Sequence, residues 1–246
     1  MDRLIYTAMS GANAAANRQA VLAGNLANAS TNGFRAQLAT FRAVPVRGDG
    51  ATTRVLAEET TAGHLNTPGP AVRTDRNLDA MAVGNAWFGV QSLKGTEGYT
   101  RNGHFEVSAE GTLTTGTGLP VLSSDGSPIT IPPGANVSIG QDGTISAKVG
   151  NQPANILAKL KLVTPTGEDP LKRGDDGLFT TISGNELDSD ATARLQTGTL
   201  EGSNVNPIET MVGMIQAARQ FETQMRMLQS AESNERSADK LLSLQG

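Results

Sequence analysis

The chain contains no cysteine. That removes disulfides, thiol catalysis and cysteine-based zinc sites together. Aromatic residues are scarce: one Trp, two Tyr and six Phe among 246 residues. So few rings imply a lean core and argue against a carbohydrate-binding surface, which needs several exposed aromatics. The two histidines, His64 and His104, lie far apart with no partner one helical turn away, and read as surface or turn residues. Basic residues never run longer than Lys172-Arg173 and the net charge is −4. Nucleic acid is therefore not an expected partner, because phosphate binding needs clustered Lys and Arg. No apolar stretch approaches the roughly 18 residues that a membrane-spanning helix requires. Asp2 follows Met1 and no apolar core comes after it, so no cleaved secretory signal is expected.

Catalytic and cofactor motifs are missing in the same way. Asp175-Asp176-Gly177 and Asp188-Ser189-Asp190 do not continue into a calcium loop and read as solvated turns. Gly116-Thr117-Gly118 lacks the third glycine and following helix of a phosphate cradle. No Gly-x-Ser-x-Gly elbow occurs. The expectation is a protein that is not an enzyme, with no catalytic residue, metal, cofactor or small-molecule substrate.

What the chain does have is helical periodicity at both ends. Leu4, Ala8, Ala12, Ala15, Gln19, Leu22 and Leu26 recur at steps of three and four, one face of a helix with mostly small side chains. Asn13, Asn17, Asn25 and Asn28 are poor helix formers, so this helix is weak in isolation. It stops at Ser30-Thr31-Asn32-Gly33, where glycine supplies a turn. A second helix has a defined start: Asn206 as cap, Pro207 in the first position, Glu209 three residues after the cap. Its stripe runs Met211, Met214, Ala218, Phe221, Met225, Leu228 and Ala231, spacing that averages near the 3.5 residues of a coiled-coil seam. An ordinary core helix is the competing reading of that stripe.

Between the ends, short β candidates alternate with turns. Asp125-Gly126 and Asp142-Gly143 suit tight hairpins, and Ala109-Glu110-Gly111 separates two strand-like runs. Residues 44–70, with four prolines and glycines at Pro45, Gly48, Gly50 and Gly63 before Pro68-Gly69-Pro70, read as an extended connector. The expected fold is α+β: terminal α-helices pairing into a coiled-coil-like inner domain, and a mainly antiparallel β middle. The expected division is 1–35 helical assembly segment, 36–77 connector, 78–200 β-rich domain and 201–246 helical assembly segment. The seam residues Leu4, Ala8, Ala12, Ala15, Leu22 and Leu26, with Met211, Met214, Ala218, Phe221, Met225 and Leu228, are the candidate assembly interface.

Three stretches resemble a known family. Residues 23–41, AGNLANASTNGFRAQLATF, carry Asn25, Asn28, Thr31, Gly33, Phe34 and a basic Arg35. Residues 98–122, GYTRNGHFEVSAEGTLTTGTGLPVL, carry Tyr99, Arg101, Gly103 and Phe105. Residues 200–228, LEGSNVNPIETMVGMIQAARQFETQMRML, carry Ser203, Asn204, Arg219 and Glu222. Together, in this order, they resemble the bacterial flagellar rod and hook axial proteins, most of all the proximal-rod members. The resemblance implies a basal-body subunit that polymerises with copies of itself and other rod proteins into a torque-transmitting shaft across the periplasm. It also implies passage through the flagellar type III export apparatus without signal cleavage, and no membrane insertion. A distal-rod subunit is the alternative within the family, and a secreted β-rich enzyme or carbohydrate-binding module the alternative outside it.

Overall fold

The computed structural model describes residues 2–45, 55–150, 152–174 and 176–243. They fall into two units: one holding 1–29, 36–65 and 205–246, the other 30–35 and 66–204.

The first unit is built on α1 (Asp2–Ala27) and α2 (Pro207–Ser243). α2 begins as its sequence dictates: the Asn206 side chain accepts the N–H groups of Ile208 and Glu209 at 3.1 and 3.3 Å. At 37 residues it is about 56 Å long at roughly 1.5 Å per residue. α1 ends where Asn28 donates its side-chain amide to the Gly24 carbonyl at 2.9 Å. Gly11 lies against Gln224 and Gly213 against Leu22, so the two helices pack antiparallel. The contact is made of small groups: Ala8, Ala12, Ala15, Ala217 and Ala231 are all buried.

Residues 36–77 are not simply an extended connector. β1 (Gln37–Pro45) and β2 (Val55–His64) form an antiparallel hairpin whose register shifts between Thr40 and Phe41. α1 secures both strands through side chains that imitate a neighbouring strand. Asn25 donates to the Gln37 carbonyl at 2.9 Å and accepts the Gln37 N–H at 2.8 Å. Ser10 donates to the Ala57 carbonyl at 3.1 Å and accepts the Ala57 N–H at 3.0 Å. The spacing agrees: 15 residues of helix are about 22 Å, and the strand from Gln37 to Ala43, which faces Ala57, covers about 20 Å at roughly 3.3 Å per residue. Glycine and proline suggested an open connector because local composition does not register a helix 12 residues upstream.

The second unit is antiparallel throughout its described strands. β3 (Ala71–Arg73) pairs with β16 (Thr199–Glu201), and β4 (Ala80–Ala82) with β15 (Leu195–Thr197). β5 (Trp87–Gln91) and β6 (Glu97–Thr100) lie inside a five-stranded sheet, completed by β12 (Leu162–Val163), β13 (Leu171–Arg173) and β14 (Phe179–Thr181) in the order β12-β5-β6-β14-β13. β7 (Phe105–Val107) and β8 (Leu113–Thr115) form a hairpin over Gly111, as the sequence predicts. β9 (Ala135–Ile139), β10 (Thr144–Val149) and β11 (Asn155–Lys159) make a three-stranded sheet, with Asp142-Gly143 turning between the first two. The five-stranded sheet is covered on both faces. Phe88 and Val90 point into the main core, where Phe88 meets Phe105 edge-on at 5.2 Å. Trp87 and Tyr99 point the other way, and Trp87 packs on Phe179 at 4.6 Å. Burial on both faces explains why Trp87–Gln91 reads as a near-continuous apolar run rather than strict alternation.

Candidate assembly surface and a buried ion cluster

The buried side of α2 shares Met214, Leu228 and Ala231 with the predicted stripe and elsewhere lies one residue before it. On α2 the side toward α1 is Thr210, Met214, Ala217, Gln224, Leu228 and Ala231, with Thr210, Ala217 and Ala231 fully buried. Ala217 and Gln224 occupy the contact in place of Ala218 and Met225. Met211 faces solvent and Phe221 and Met225 sit at the margin, each more than a third exposed. The cause is that the α2 sequence offers apolar residues on two sides, and periodicity alone does not say which side meets α1. The small side chains of α1 select the small ones of α2. On α1, Ala8, Ala12 and Ala15 are buried and Leu22 and Leu26 half-buried. The Leu4 side chain lies outside the described residues.

This choice leaves large apolar groups unpaired at the start of α2. Ile208 is 75% and Ile215 55% exposed, with Met211 and Val212 about equally open beside them. On α1, Tyr6 and Met9 are exposed as well. Such clusters on a helix are the ordinary mark of a protein-binding face.

The family-like motif residues do something different: those of the β-rich unit converge on one buried ion cluster. Glu201, only 1% exposed, accepts Arg35 Nη2 at 2.7 Å, Arg101 Nε at 2.7 Å and Nη2 at 2.5 Å, and the Gly69 N–H at 3.1 Å. Arg101 uses all five of its donors. Besides Glu201 it donates to the carbonyls of Ala82 at 2.8 Å, Gly84 at 3.1 Å and Ala86. Arg35 also donates to the Thr67 carbonyl. Burial pulls the Arg35 guanidinium below its ordinary pKa, against the attraction of Glu201. Both guanidiniums lie near the Trp87 ring, 6.0 Å from its centroid for Arg35 and 5.8 Å for Arg101.

The surrounding motif residues build the cluster's walls. Gly33 has φ of 71°, and a Cβ there would come within 2.4 Å of the Arg101 carbonyl carbon, so only glycine brings the chain this close. Its N–H donates to the Glu201 carbonyl at 2.7 Å. Phe34 lies under the Arg173 guanidinium at 4.4 Å. Asn204 donates its backbone N–H to Phe34 at 3.2 Å and its side-chain amide to Thr67 at 2.9 Å. Tyr99 accepts the Leu187 N–H at 2.7 Å, and burial pushes its phenol pKa up. Ser203 is buried. Thr31, Arg219 and Glu222 are exposed, the last 4.0 Å from Arg226.

Glu201, Gly69, Trp87 and Ser10 were not singled out from the sequence. Glu201 stood inside the third motif, and the signal that could have found it is the pair of motif arginines, which need a carboxylate if both are buried. His104 is no lone surface residue: its Nδ1 lies 2.9 Å from Asp79 and its Nε2 3.3 Å from Glu106. Arg76 joins the same group through Asp79 at 3.1 Å. Among the described residues, no three His, Asp or Glu side chains are placed to hold a metal ion, and no helix is long and apolar enough to cross a membrane.

Three family models match the chain: the flagella basal body rod protein model over residues 5–35, the flagellar hook protein FlgE/F/G D1 domain over 81–147, and the flagellar basal body rod FlgEFG protein C-terminal model over 196–241. The flagellar basal-body rod protein FlgF of Escherichia coli (strain K12) is 47% identical over 253 residues, covering 99% of this chain and all of the relative. The chain belongs to the flagellar basal-body rod proteins. FlgF of Caulobacter vibrioides is 30% identical, covering 97% of both chains. A FlgG rod protein, from Buchnera aphidicola subsp. Schizaphis graminum, is 30% identical over 86% of this chain and 89% of its own. The chain is a structural subunit of the rod, most like FlgF, and its place is the flagellar basal body.

Proposed function

We propose that this rod subunit occupies the proximal rod and joins copies of itself and other rod proteins through its terminal helices, forming the shaft that carries motor torque across the periplasm. Its role is structural and not enzymatic. It reaches its place through the flagellar type III export apparatus without loss of a signal peptide. The observation that carries the assembly reading is the exposed apolar group on α2, Ile208, Met211, Val212 and Ile215, which remains after α1 has been accommodated. Steps of four, three, seven, four and three residues along the buried side of α2, from Thr210 to Ala231, support a coiled-coil-like pairing. The seam residues named from the sequence then divide in function. Ala8, Ala12, Ala15, Met214 and Leu228 hold the two helices of one chain together. Met211, Phe221 and Met225 face the next subunit.

The test is Ile215→Asp in the full chain, with motility, rod formation and export followed separately. The expected outcome is a chain that is exported and keeps its monomer stability, since an exposed substitution is near neutral. It builds no functional rod, because an unpaired charge would have to be buried on docking. An exported Ile215→Asp chain that supports normal motility removes this face from the assembly.

A further inference from the structure

We infer that Glu201 is a positioning residue that sets the order in which the two arms of the chain seat on the β-rich unit: residues 200–204 first, then residues 30–35 on top of them. The two arms are held unequally. The C-terminal one has its own anchorage, because β16 pairs with β3 through Thr199–Arg73, Leu200–Val72 and Glu201–Ala71. Glu201 is also locked by the Nε and Nη2 groups of Arg101. The N-terminal one is tied to the other at three successive residues. Gly33 donates to the Glu201 carbonyl, Phe34 accepts from Asn204, and Arg35 pairs with the Glu201 carboxylate. Its further contacts include Thr67, reached by Arg35, Arg173 over Phe34, and the Arg101–Asn102 backbone against Gly33.

Electrostatics point the same way. Without Glu201, seating Arg35 would bring a second buried guanidinium up to Arg101 on the same Trp87 ring with no counter-charge. An uncompensated buried charge is strongly unfavourable. With Glu201 in place, one carboxylate faces two guanidiniums. The Arg35 Nε remains buried without a hydrogen-bond partner, so Arg35 is the less completely satisfied of the two. Arg101 does not need Arg35, whereas Arg35 needs Glu201.

This dependence is a property of the folded chain alone. Its consequence for assembly rests on the rod reading: a chain that arrives N-terminus first keeps residues 30–35 unseated until residue 201 has followed, so the N-terminal arm stays available to neighbours until nearly the whole chain is present.

Hydrogen exchange on the purified full-length protein tests the order directly, with Trp87 emission as a second reporter at the cluster. Arg35→Gln should lower protection of residues 31–35 about a hundred-fold or more while leaving 200–204 within a few-fold. Glu201→Gln should release both segments and shift Trp87 emission, while β9 and β10 keep their protection. The inference is overturned if Arg35→Gln strips 200–204 as much as 31–35, if it leaves 31–35 protected, or if Glu201→Gln leaves 31–35 within tenfold of the unaltered protein. Should Glu201→Gln not fold, the two arms in Arg35→Gln still decide the matter. None of these readings involves a flagellum, so failure of the rod assignment, seen in motility, is a separate result.

Discussion

In the β-rich unit the fully buried side chains are large: Trp87, Arg101, Tyr99, Phe88, Phe105 and Leu113. In the unit formed by the helices and the hairpin they are mostly alanines, joined by Asn25, Val205 and Thr210. Burying a Phe or Leu contributes about 1.5–3 kcal/mol, roughly two to four times what an alanine methyl contributes at about 0.8 kcal/mol per carbon. The β-rich unit therefore has the side chains to close a core by itself. The helical unit buries little, leaves Ile208 and Ile215 in solvent, and relies on directed hydrogen bonds from Ser10 and Asn25. The difference teaches what each is for. On the proposed assembly role, a unit whose helices meet other chains keeps large apolar groups outside, whereas a unit that holds its own shape puts them inside.

The largest expected contrast comes from one substitution made in each unit. A Cβ at Gly103 would lie 1.6 Å from the Ala80 carbonyl oxygen, which is backbone and cannot step aside. Gly103→Ala should cost more than about 4 kcal/mol and abolish a cooperative transition followed by Trp87 fluorescence. At Gly213 the same Cβ meets only the end of Leu22, at 3.2 Å. There the gain in helix propensity, about 1 kcal/mol, opposes a small repacking cost. Gly213→Ala should leave thermal melting by circular dichroism within a few degrees of the unaltered protein. Similar losses at both positions would mean the two units are packed alike.

A smaller effect is expected from overfilling the helix contact. Ala217, 1% exposed, has no room for a longer side chain. Ala217→Leu should destabilise the helix pair by about 1–3 kcal/mol, read as earlier loss of helical circular dichroism. Its neighbour Ala218, at the margin, should accept Leu with less than half that loss. If both behave alike, the contact face has been wrongly placed by one residue.

Asn25 tests whether hydrogen bonds carry what apolar burial does not. Asn25→Ala removes both bonds to Gln37 and should cost about 1–3 kcal/mol, since it strands backbone groups beside a buried position. The measurement is hydrogen exchange at residues 37–39, which should quicken while the β-rich unit is unchanged.

The smallest effect concerns acid. Hydrogen bonds from Thr192, then from Thr164, hold the Asp190 carboxyl at a pKa of about 2, below its ordinary value of 3.8. A depressed pKa contributes stability above the unfolded value that is lost as pH falls through the folded one. The window is therefore from about pH 4 down to about pH 2. Thr192→Val should flatten that limb of the stability curve of the β-rich unit, measured by Trp87 fluorescence. An unchanged limb would show that this exposed turn adds nothing.

Much of the fold was legible where chemistry is local. Asn206-Pro207 and Glu209 started α2, Asp142-Gly143 turned β9 into β10, and alanines four and three apart gave the buried face of α1. The three motifs identified the family because their residue types recur in order along the chain. Hidden were features created by distant partners: the pairing of residues 37–45 with 55–64, whose registration depends on Ser10 and Asn25, and the choice of Ala217 over Ala218. The sharpest case is the candidate site. Arg35 and Arg101 were both noted in their motifs, but nothing local pairs them with Glu201, 100 residues beyond Arg101.

By itself, the amino-acid sequence determined where helices begin, where strands turn, which chemistries are excluded and which family the chain belongs to. These follow from capping, positive-φ glycine, residue inventory and ordered motifs, all properties of neighbours along the chain. Only the tertiary structure decided which face of α2 is spent inside the molecule, and which carboxylate neutralises two buried arginines. Burial and charge pairing depend on distance in space, and the groups that set them here come from opposite ends of the chain.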